Sequence, residues 1–156
     1  MSNRTRSYKV EEQTRIPLLS LVFAFGPMLL SLADAALIWI APPSDVPWLV
    51  NVLLLWSGAL LAFLAGVRRG LTFRSPDGET PAQIATMFYL FVIAVAALFS
   101  GPTRVAASLL MLGFTSVGIL DWMAARRQEV PPYFARLRPV QMLLPVISLL
   151  VVLPKI

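Results

Sequence analysis

The amino-acid sequence predicts an all-α, polytopic transmembrane helix bundle of five spans, with the amino terminus inside and the carboxyl terminus outside. Three observations carry that prediction. Of 156 residues, 58% are hydrophobic and 13% charged, with a mean hydropathy of +0.76, so too few charges exist to coat a water-facing surface. Apolar runs near the roughly 20 residues that a spanning helix needs follow one another along the chain. The positive charges fall in alternate connections. This organisation gives a basic cytoplasmic arm over residues 1–15 and a single five-helix domain over 16–156, with a cytoplasmic interfacial segment at 122–139.

The first span is Ile16–Ala41, closed by Pro42-Pro43-Ser44-Asp45. Its Ala33-Asp34-Ala35 imitates a signal-peptidase site, but the apolar stretch ahead of it exceeds a signal peptide's core, which argues for a retained span. The second span, Pro47–Val67, stops at Arg68-Arg69. A polar turn, Arg74-Ser75-Pro76-Asp77-Gly78-Glu79, leads to Thr80 as helix cap, Pro81 in the first turn and Gln83 at the third position, the pattern of a capping box. The third span is Pro81–Ser100. Gly101-Pro102-Thr103 turns the chain into the fourth, Arg104–Trp122. From Trp122 to Pro139 aromatics alternate with arginines as interfacial residues do, and a short surface helix from Pro132, bending at Pro139, is expected. The fifth span, Pro139–Leu153, is short, about 25 Å with its flanks, so it must tilt little or rely on Lys155 and the interface to make up the length.

Orientation follows from the retention of positive loops in the cytoplasm. The arm holds Arg4, Arg6, Lys9 and Arg15, the second connection Arg68, Arg69 and Arg74, and the fourth Arg126, Arg127, Arg136 and Arg138. Those are 11 of the 13 positives, leaving Arg104 and Lys155 for the other side. The net charge of +5 is scattered between apolar runs and forms no compact stripe, so anionic lipid headgroups on the cytoplasmic side, rather than nucleic acid, are the expected counter-charge. Eleven arginines against two lysines suggest a GC-rich bacterial source and its inner membrane.

The absence of Cys and His from the sequence excludes disulfides, thiolate metal sites and His-ligated haem. Imidazole catalysis and cysteine nucleophiles go with them. No cofactor is expected.

Small and polar residues in spanning helices face the bundle, because lipid offers them neither hydrogen bonds nor close packing. Such stripes are Ser20, Pro27, Ser31 and Asp34 on the first span, and Asn51, Gly58, Ala62 and Ala65 on the second. The second also carries the ladder Gly58-x-x-x-Ala62-x-x-x-Gly66. Ser108, Thr115 and Gly118 mark the fourth span, and Gln141, Pro145 and Ser148 the fifth. Asp34 lies seven residues before Ala41, about 10 Å inside its helix end, where an isolated carboxylate is costly. A structural contact is expected, with Arg104 at matching depth or with Ser31 or Asn51; a proton or ion site is the alternative. Asp121, at the inner end of the fourth span, is expected to neutralise Arg126, Arg127 or Arg68. The two carboxylates lie at opposite faces, roughly 20 Å apart by span depth, which excludes an aspartyl dyad. Arg68, Arg69, Arg126, Arg127, Tyr133, Phe134, Arg136 and Arg138 are the candidate lipid or partner contacts.

Three segments carry a resemblance. Trp56-Ser-Gly-Ala-Leu-Leu-Ala-Phe-Leu-Ala-Gly-Val-Arg-Arg-Gly-Leu71 closes the second span. Asp121 is followed by Pro131-Pro132-Tyr133-Phe134-x-x-Leu137-Arg138, and Gly26-Pro27 lies in the first span. Together they resemble the membrane family called domain of unknown function 3429, the transmembrane protein 69-like proteins, over residues 16–153. Ala65 stands where that family has Gly, Arg69 where it has Trp, and Tyr133-Phe134 where it has Trp-Tyr. The resemblance implies a bacterial or mitochondrial inner-membrane protein and supplies no reaction.

The function expected from these features is a non-catalytic accessory or assembly subunit at the periphery of a larger, energy-converting inner-membrane complex, with other membrane subunits as partners. A small proton- or ion-coupled transporter using Asp34 is the alternative. An enzyme ranks last.

Overall fold

The computed structural model describes residues 18–72, 80–127 and 134–156, with the side chains of residues 20, 71–72 and 134–136 outside that description. The regular structure of these residues is helical: α1 (Leu18–Ile40), α2 (Val46–Thr72), α3 (Pro81–Phe99), α4 (Thr103–Arg126) and α5 (Phe134–Val152), then a 3-10 turn, Leu153–Lys155. Each of the five α-helices is long and apolar enough to cross a membrane. The arm 1–15, the turn 74–79 and Tyr133 lie outside the described residues.

Helix ends follow local chemistry. At the start of α3 the Thr80 hydroxyl accepts from the Gln83 N–H at 3.3 Å, while the Thr80 N–H donates to the Gln83 side-chain oxygen at 3.1 Å. This is the capping box expected there. Three helices run further than hydropathy alone predicts. α2 continues through Arg68-Arg69 to Thr72, since Arg is a good helix former and charge by itself ends only the apolar run. α4 continues past Trp122 to Arg126, whose guanidinium lies 4.3 Å from the centroid of the Trp122 ring one turn back.

The largest departure is α5. No break occurs at Pro139: one helix runs from Phe134 through Pro139 and Pro145 to Val152. Proline removes one backbone N–H each time, a loss tolerated in bundled spanning helices where neighbours re-satisfy the freed groups. The short fifth span and the separate surface helix expected before it are thus parts of one longer helix.

Each helix packs on its neighbour in sequence, α5 returns against α1 to close a ring, and α2 crosses to α4. The centre is apolar, with Met28, Ile38, Leu53, Leu61, Leu90, Leu110, Phe114, Val117 and Leu149 buried. At one end the Trp39 ring N–H donates to the Val151 carbonyl at 3.3 Å, and Lys155 Nζ lies 4.6 Å from the Trp39 ring centroid. Arg104 Nε donates to the main-chain oxygen of Ile156 at 2.6 Å. The opposite end carries Arg68, Arg69, Arg126, Arg127 and Arg138. The described positives therefore sort between the two ends as their sequence positions predict.

The small-residue ladder of α2 holds only in part. A Cβ on buried Gly58 would come within 2.6 Å of the Leu98 side chain on α3, but one on Gly66 would meet nothing within 4 Å, and Gly66 and Asn51 are exposed. Ala62 is half-buried against the core. On α4, Gly118 is buried while Ser108 and Thr115 are exposed. The Ser108 hydroxyl donates instead to the Arg104 carbonyl of its own helix at 2.8 Å, which removes its need for an interhelical partner. The tightest approach involves Gly113, where an added Cβ would collide with Leu61 of α2 and lie 3.2 Å from Ile93 of α3.

Candidate functional site

Four helices converge on one polar cluster at the arginine-rich end. Asp121, 2% exposed, projects from the last turns of α4. It accepts a hydrogen bond from the Arg68 guanidinium of α2 on one oxygen, and the Arg138 Nε of α5 lies 3.2 Å from the other. Arg138 also donates from Nη1 to the Gln141 side-chain oxygen at 3.2 Å, three residues along the same helix face. Gln141 in turn donates from Nε2 to the Ala24 carbonyl of α1 at 2.5 Å. The chain of contacts thus ties α2 to α4, α4 to α5, and α5 to α1.

Low dielectric strengthens each of these contacts and makes each costly to leave half-made. A carboxylate removed from water loses several kcal/mol of solvation, roughly, which one cation seldom repays and two fixed guanidinium groups repay better. The neutralisation of Asp121 by Arg68 matches one of the expected partners, whereas Arg126 stacks on Trp122 and Arg127 is exposed at the helix end. Arg138 is the partner that sequence reasoning missed. Arg68 and Arg138, expected to face lipid headgroups or a partner, instead turn inward to Asp121, because a buried carboxylate competes with solvent for the nearest guanidinium groups. Arg69 is half-buried, and the side chains of Phe134 and Arg136 lie outside the described residues.

Asp34 sits in different surroundings near the other end. Among the described residues no hydrogen bond or ion pair joins its carboxylate to Ser31, Asn51 or Arg104, and its Oδ2 is buried without a partner. Arg104 is engaged by Ile156 and Asn51 is exposed, so the structural contacts expected for Asp34 are not formed. The hydroxyls of Ser31 and Ser57, both fully buried, are also without partners. Gln141, Pro145 and Ser148 form the buried stripe expected on α5, the Ser148 hydroxyl donating to the Leu144 carbonyl at 2.8 Å.

Two hollows adjoin these groups. A cavity of about 230 Å³ between α1, α2 and α5 is walled by Phe23, Met28, Leu60, Phe63 and Leu64 and reaches Arg138 and Gln141. A groove of about 460 Å³ between α4 and α5 is lined by Thr115, Gly118, Trp122, Pro139, Met142 and Val146. Among the described residues no three Asp or Glu side chains come together as a metal site needs.

Comparison with known proteins gives no matching family model, no matching curated protein and no matching solved structure.

Proposed function

We propose that this chain is a non-catalytic, multi-pass inner-membrane subunit, of the transmembrane protein 69-like kind, that packs at the periphery of a larger, energy-converting membrane complex, with its arginine-rich end in the cytoplasm. The observation that carries this reading is the polar cluster. Asp121, Arg68, Arg138 and Gln141 bind one another across α2, α4 and α5, and Gln141 reaches the Ala24 carbonyl of α1, which is the work of a brace. The buried layer above them is dominated by Leu53, Leu61, Leu110, Phe114 and Leu149, where a conduit calls for continuing polar groups.

The groove between α4 and α5 is the face offered to a partner helix. Buried Gly118 lets α4 and α5 pack closely beneath the groove, where an added Cβ would touch Met142 and Pro139, and the exposed Thr115 hydroxyl can hydrogen-bond to a partner helix. Gly58 packs inside the bundle against Leu98, so substitution there tests the fold and not the association. Thr115→Trp tests the association, because it fills the groove from an exposed position. The expected result is that mild solubilisation co-purifies a larger assembly with the native chain and that Thr115→Trp releases it with the bundle's melting unchanged. A native chain that migrates alone, with lipid only, would refute the reading.

One observation favours the transporter alternative. Asp34 Oδ2 and the Ser31 and Ser57 hydroxyls are three buried oxygens without protein partners, each of which a bound water would satisfy. Asp34→Asn keeps shape and hydrogen bonding. Loss of a proton- or ion-driven flux in that variant, at normal abundance, would establish the alternative.

A further inference from the structure

The cavity between α1, α2 and α5 has the two-part character of an amphiphile site. Its apolar part is buried within the bundle, at Met28, Leu60 and Leu64, while Phe23 and Phe63 are 75% and 67% exposed on the outer surface of the same space. It therefore opens sideways, toward the lipid, rather than along the helix axes. At about 230 Å³ it far exceeds the ~15 Å³ that admits one water, and away from Arg138 and Gln141 at one end its apolar walls give water no partners. A helix, about 10 Å across, cannot enter between three helices that already pack on one another. A slender, flexible hydrocarbon chain can.

The polar end of the cavity selects the rest of the molecule. Arg138 and Gln141 line it, 7% and 3% exposed. The Gln141 carboxamide has two N–H bonds and gives one to the Ala24 carbonyl, leaving a second for a ligand oxygen. Arg138 lies about 6 Å inside the start of α5 by helical rise, at the end that also carries Arg68, Arg69, Arg126 and Arg127. Donors and cations at that depth match a phosphate or ester oxygen. Pro27, which lines the same space, has no N–H for the Phe23 carbonyl, and Ala24 is small, so α1 leaves room where a larger residue would close the wall.

We propose that this cavity holds one acyl chain of an anionic phospholipid from the adjoining leaflet, with a headgroup or ester oxygen on Gln141 and Arg138. The lipid then fills the seam between α1 and α2 and acts as a structural component of the bundle, independently of any partner complex.

The test uses the full chain, delipidated, returned to phosphatidylcholine bilayers doped with phosphatidylglycerol, and released gently for native mass spectrometry. The expected result is one phosphatidylglycerol per chain, retained at least about tenfold over phosphatidylcholine. Ala24→Leu, which fills the cavity and alters no charge, should lower that retention at least about tenfold while leaving the melting temperature of the delipidated chain unchanged. Leu60→Phe, filling the space from α2, provides the same reading should Ala24→Leu fail to fold. Equal retention of the two lipids, retention untouched by the filling substitutions, or a lipid-free dimer would overturn the proposal.

Discussion

Asp34 and Asp121 are carboxylates within helices of the same bundle, yet the chain serves them in opposite ways. Asp121 is met by two guanidinium groups and is almost fully buried. Asp34 is met by none among the described residues, and Arg104, the cation expected to pair with it, donates to Ile156 instead. The difference teaches where the protein invests its polar contacts. The arginine-rich end is cross-linked through α1, α2, α4 and α5, whereas the Asp34 end is held by Trp39, Lys155 and Arg104 around the chain's last turn.

The comparison breaks most readily at Asp121. Asp121→Asn leaves two buried guanidinium groups without their anion and should destabilise the bundle by about 3–5 kcal/mol, read as a lower melting temperature in bicelles. Next comes Gly113→Ala, which forces a methyl group against fully buried Leu61; a loss of about 1–3 kcal/mol is expected in the same assay. Gly58→Ala should cost less, under about 1 kcal/mol, because Leu98, 40% exposed, can swing toward lipid. Asp34→Asn should be smallest, within about 0.5 kcal/mol of the native chain or slightly stabilising, since no partner is lost. A loss of 2 kcal/mol or more, roughly, would reveal an unrecognised partner for Asp34.

The five helices were legible because span length and hydropathy are set by the bilayer and need no knowledge of packing. The start of α3 was legible because a capping box is a local bargain between Thr80 and Gln83. Pro139 misled because its cost depends on whether neighbours can relieve it, which is a tertiary property. The cluster was half visible. Arg68 stood in the sequence as a partner for Asp121, but Arg138 was grouped with the interfacial arginines; its spacing of three from Gln141 was the available signal. Gly113, between Leu112 and Phe114 in the interior of α4, was a second unused signal, since glycine there is retained for close approach. Asn51 and Gly66 were misassigned because helical spacing fixes which residues share a face without fixing which way that face points.

The Asp121 brace ties α2, α4 and α5 together, and a double-mutant cycle on Asp121→Asn and Arg68→Gln measures it. Melting free energies of the native chain, both single variants and the double are compared in one bicelle composition. If the pair braces the bundle, the double variant is less destabilised than the sum of the singles, with a coupling of about 1–3 kcal/mol. Additivity within about 0.5 kcal/mol would mean that Arg68 and Asp121 do not hold each other and that the bundle has no brace there.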